Sequence, residues 1–102
     1  MTRFVITSSA KVDISKTLDY LERTAGRATA ARYSRRFQAA VDRLLVFPES
    51  GAPRPLLGGR TRVVVIYPYL MFYDYQAVDG QLAILRVLHG KMAITEEILR
   101  RG

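Results

Sequence analysis

The sequence predicts an α+β domain: a first strand, an antiparallel helical hairpin packed on a small antiparallel sheet (β-α-α-β-β-β), and a short C-terminal helix. Three observations carry this. Apolar residues recur every three or four positions over two stretches divided by Gly26, three β-rich runs follow from about residue 60 onward, and Asp79-Gly80, a strong hairpin signal, separates the last two runs. At 102 residues the chain forms one compact domain, 1–102, with a single modest core.

Residues 3–7, "RFVIT", are too short and too rich in β-formers for a helix and form the first strand. Ser8 or Ser9 caps the helix that follows. Asp13 is placed in its first turn, where a negative charge suits the dipole, and Ile14, Leu18, Leu21 and Ala25 give its apolar face. From Arg27 the period resumes through Ala30, Tyr33, Phe37, Ala40, Leu44 and Phe47 until Pro48 stops it, so two helices fold back on each other about Gly26. On the opposite face of the second helix Arg32, Arg35, Arg36 and Arg43 make a basic stripe. "FPESGAPRPLLGG", residues 47–59, has no helical or strand period and reads as a long connection. Strands from about Arg60 to Tyr67, Tyr69 to Gln76 and Gln81 to Leu88 complete a meander, and "AITEEILRR" forms the terminal helix.

The chain has no cysteine and one histidine, which excludes disulfides, thiolate nucleophiles and multi-histidine metal sites, and no cofactor is implied. The longest apolar run, interrupted by Pro68, falls short of a membrane span. Sixteen Lys and Arg, most of them Arg, oppose nine Asp and Glu, for a net charge of +7. Guanidinium forks suit phosphate and carboxylate, so the expected partners are polyanions or an acidic protein.

Both faces of the meander are apolar. Val63 and Val65 oppose Val64 and Ile66; Leu70 and Phe72 oppose Met71, Tyr73 and Tyr75; and Leu82, Ile84 and Leu88 oppose Ala83, Leu85 and Val87. One helical hairpin covers one face, so the other is covered either by the terminal helix and the 47–59 loop or by a partner segment, and the second alternative is the expectation. For RNA cleavage the chain offers Arg60, Arg62, Arg86, His89 and Lys91, cations that a meander can bring together. Strand alternation puts Arg86 and His89 on opposite faces, however, and no tyrosine follows Tyr75 to complete an acid–base pair.

Three stretches in order, "SSAKVDISKTLDYLERTAG", "FPESGAPRPLLGGRTRVVVIYPYLMFYDY" and "LAILRVLHGKM", make nearly the whole chain resemble the RelE/ParE superfamily of bacterial toxins, ParE-like branch. The resemblance implies the cytoplasmic toxin of a type II toxin–antitoxin system, held in a hetero-oligomer by a small antitoxin with an acidic C-terminal segment. RelE-like members cut messenger RNA on the ribosome, and ParE-like members poison DNA gyrase. Arg60, Arg62, Arg86, His89 and Lys91 match basic positions of the family, but its late tyrosine has no counterpart here, which favours gyrase over the alternative of a ribosome-dependent endonuclease. The antitoxin groove is expected on the second helix and on the sheet face away from the hairpin, with Arg32, Arg35 and Arg36 meeting acidic groups and Tyr69, Met71 and Tyr73 supplying apolar contact.

Overall fold

The computed structural model describes residues 2–101. In chain order these form β1 (Arg3–Ile6), α1 (Ser8–Ala25), α2 (Arg27–Val46), β2 (Ala52–Pro53), a 3-10 turn (Pro55–Leu57), β3 (Thr61–Ile66), β4 (Tyr69–Gln76), β5 (Gln81–His89) and α3 (Glu96–Arg100). The five strands make one sheet in the order β1-β5-β4-β3-β2. No helix of the described residues is long and apolar enough to cross a membrane.

The helical hairpin follows the sequence closely. Gly26, at φ +96°, serves as both the C-cap of α1 and the N-cap of α2, a backbone state that costs an L side chain and costs glycine little. The N-cap of α1 is Thr7 rather than Ser8 or Ser9: its Oγ1 accepts from the Ala10 N–H and donates to the Leu85 carbonyl, so one hydroxyl starts the helix and ties it to β5. Asp13 therefore lies beyond the first turn. Its role is elsewhere.

The sheet is mixed. β1 runs parallel to β5, Arg3 opposite Gln81 and Ile6 opposite Ile84, because the whole hairpin and most of the sheet intervene and a long crossover permits parallel neighbours. The 47–59 connection is also more ordered than its composition predicts, since Ala52 and Pro53 pair with Val63 and Arg62 as a short edge strand.

The hairpin packs on the face made by Val64, Ile66, Tyr69, Met71, Tyr73, Leu82, Ile84 and Val87, against Phe37, Val41 and Leu44 of α2. In β5 strict alternation fails. Phe72 stands opposite Arg86 but Tyr73 opposite Ile84, so Leu85 is an extra residue, a β-bulge, and past it Val87 joins Leu82 and Ile84 while Leu88 joins Ala83 and Leu85. Most of the second face is covered by the chain's own residues, while Val65 at its margin stays 62% exposed. Leu99 of α3, 3% exposed, fills the face over Val63, Phe72, Leu85 and Leu88, with Leu57, Ile94 and Ile98 at its margin. The expectation that a foreign segment must cover this face is corrected for its centre, which α3, Ile94 and the 3-10 turn seal over Val63, Phe72, Leu85 and Leu88. Arg100 pins the arrangement, donating to Asp74, to Thr61 Oγ1 and to the Leu57 carbonyl.

Candidate functional site

The five cations of the nuclease expectation do not converge. Arg62 lies in register with Tyr73 and Ile84, whereas His89 lies in register with Tyr69, four residues further along β4, or roughly 13 Å at the rise of a strand. Arg60 is exposed at the opposite end of the sheet from Lys91, which is also exposed. Three of the five are already committed to structure.

Arg86 holds Asp13 through two hydrogen bonds, Nε to Oδ2 at 2.7 Å and Nη2 to Oδ1 at 2.9 Å, and its Nη1 donates to the Ile98 carbonyl. The Asp13 hydrogen bond raises the Arg86 guanidinium above its ordinary value, against the opposing effect of partial burial. Asp13 Oδ2 also accepts the Val87 N–H at 3.0 Å. The reason is topological: β1 pairs with β5 only as far as Ile84, and beyond it a carboxylate from α1 satisfies the bare strand edge. One carboxylate thus joins α1, β5 and, through Arg86, α3.

Arg62 performs a parallel task at the other end, where its Nη1 donates to the carbonyls of Glu49 and Gly51, each at 2.8 Å. Beside it the Tyr73 hydroxyl accepts the Gly51 N–H at 3.0 Å and donates to the Pro48 carbonyl at 2.8 Å. Burial pushes the Tyr73 phenol above its ordinary range, which keeps it a donor. Gly51 is required by this close approach, since a Cβ there would lie 2.6 Å from Tyr73 Oη.

His89 is a strut. Its Nδ1 accepts the Lys91 backbone N–H at 3.1 Å, and its ring stands edge-on to Tyr69 with centroids 5.6 Å apart. Tyr69 in turn meets Tyr33 and Phe37 edge-on at 5.7 and 5.9 Å. Burial also pushes the Tyr69 phenol up, with the phenols of Tyr33 and Tyr20 adding to the shift.

The six residues expected to line one groove are divided between two environments. Arg32, Arg35 and Arg36 are exposed on α2, but Tyr69, Met71 and Tyr73 are buried beneath it. The hairpin took the face that carries these three, so they are core and not a free apolar surface. Sequence reasoning missed Tyr33, which lies between Arg32 and Arg36 and carries both guanidinium groups near its ring, at 5.8 and 5.0 Å from the centroid. The helical spacing of that trio was its available signal. It also missed Tyr67, 75% exposed at the β3–β4 turn.

A solved structure described as "Chromosomal ParDE TA system from P. aeruginosa" matches this chain with a TM-score of 0.71 at 20% identity, covering 87% of this chain and 96% of that one. The two chains thus share one fold. Residues 4–94 match the model of the family described as ParE toxin of type II toxin-antitoxin system, parDE, and the chain belongs to that family. No curated protein matches it.

Proposed function

We propose that this toxin acts by binding, with DNA gyrase as its target, and that a small cognate antitoxin with an acidic segment holds it inactive in a cytoplasmic hetero-oligomer. The observation that supports binding over RNA cleavage is the commitment of the candidate cations: Arg86 is neutralised by Asp13, Arg62 grips loop carbonyls, and His89 stands four rows away as a support for Tyr69. A nuclease needs an acid, a base and charge stabilisers around one phosphate, and these side chains do not converge on one point.

The outer face of α2 is the surface offered to the antitoxin. Arg32, Arg35 and Arg36 are exposed there, and none forms an ion pair among the described residues. Such exposed charges contribute about 0.2 to 1 kcal/mol each to an interface, so their main effect is on the rate of encounter. Purified toxin added to gyrase and relaxed plasmid is expected to suppress supercoiling and to trap cleaved complexes, and pre-incubation with the antitoxin is expected to restore supercoiling. Undisturbed supercoiling at a large excess of folded toxin would remove gyrase as the target.

A further inference from the structure

The end of the molecule where α2, the β3–β4 turn and the end of β5 meet gathers cations and aromatic rings that no structural ion pair consumes. Tyr33 Oη donates to the Tyr67 carbonyl at 3.1 Å, and Arg36 Nη1 makes a longer 3.5 Å contact to the same oxygen, which fixes the backbone that carries the exposed Tyr67 ring. The Gly90 N–H donates to the Pro68 carbonyl at 2.8 Å and brings exposed Lys91 to the same turn. Arg32 and Arg36 lie one turn apart on α2, about 6 Å along its axis. Neither they nor Lys91 reaches a carboxylate among the described residues, and Asp42, the one acid of α2, is occupied by Gln38.

We infer that this tip, Arg32, Arg36, Tyr67 and Lys91, is a binding site for a single-stranded nucleic acid segment, with the cations on successive phosphates and a base stacked on Tyr67. Guanidinium groups pair with phosphate oxygens in forked geometry, and Tyr33 already holds two of them by its ring. An exposed aromatic platform among cations is how sequence-tolerant single-strand binders engage bases, whereas an acidic peptide supplies charge without a flat face to stack. The site shares Arg32 and Arg36 with the surface proposed for the antitoxin, so the two occupants are expected to exclude each other, and it does not depend on gyrase being the target.

Fluorescence anisotropy of the full chain with a labelled, mixed-sequence single-stranded oligonucleotide tests it across a salt series. Binding is expected to weaken with salt, with a log–log slope of roughly −2 for three phosphate contacts. Removing two contacts in Arg32→Ala/Arg36→Ala is expected to flatten the slope by about 1.4 units. Tyr67→Leu is expected to weaken binding about fivefold or more, while Tyr67→Trp, which keeps a stacking face, holds it. The charge-matched pair Lys11→Ala/Lys16→Ala on α1 is expected to do much less. Equal losses from the arginine and lysine pairs, or an unaffected Tyr67→Leu, would each overturn the site.

Discussion

Asp13→Ala is expected to destabilise the domain by about 3 kcal/mol, the low end of the range for removing one partner of a buried, hydrogen-bonded ion pair, since this pair is partly buried. The side chains of Asp13 and Arg86 are 11% and 19% exposed, so the guanidinium left behind is largely shielded from water. The substitution also orphans the Val87 N–H on a strand edge that no other strand covers. For a domain near 100 residues this corresponds to a fall in Tm of about 12 °C. The companion variant Asp13→Leu/Arg86→Met, which removes both charges and keeps the volume, is expected to recover a substantial part of that loss. Thermal unfolding of the three proteins decides it: a change under about 1 kcal/mol in Asp13→Ala would mean that solvent replaces the carboxylate at little cost.

Leu99→Ala is expected to cost about 2 to 4 kcal/mol, because Leu99 is the buried residue by which α3 fills the second sheet face. The effect extends beyond one cavity. A helix of five residues has little stability of its own, so losing its anchor releases it and exposes Val63, Phe72, Leu85 and Leu88 together. Increased binding of an apolar dye and concentration-dependent association are the expected signs. If the variant unfolds like the parent and binds no dye, then the Arg100 contacts to Asp74, Thr61 and Leu57 hold the helix without the apolar anchor.

What the sequence discloses follows from how local each decision is. The helical hairpin and the three long strands are legible because periodicity, Gly26 and Asp79-Gly80 act within a few residues of chain. The face that receives the hairpin is not, since Val63 and Val64, or Met71 and Phe72, are comparably apolar, and only the packed molecule distinguishes them. That single ambiguity moves Tyr69, Met71 and Tyr73 from an anticipated surface into the core. The bulge at Leu85 is equally hidden, and it reverses the facing of Val87 and Leu88 relative to strict alternation.

The candidate site shows the same division. The arginine stripe of α2 is readable as exposed because helix geometry places it opposite the apolar face. The engagement of Arg86 is not, because its partner Asp13 is 73 positions away and is brought near only where β1 stops and leaves the β5 edge open. Likewise Arg62 and Tyr73 serve loop carbonyls whose position depends on β2, a two-residue strand in a stretch without strand period.

Primer extension across a message translated in a purified system, with and without the toxin, tests action by binding most directly. The same extension products are expected in both reactions. New stops at ribosomal A-site codons that disappear in His89→Ala, with the variant folded as judged by circular dichroism, would contradict it and restore a catalytic role to a histidine read here as a prop for Tyr69.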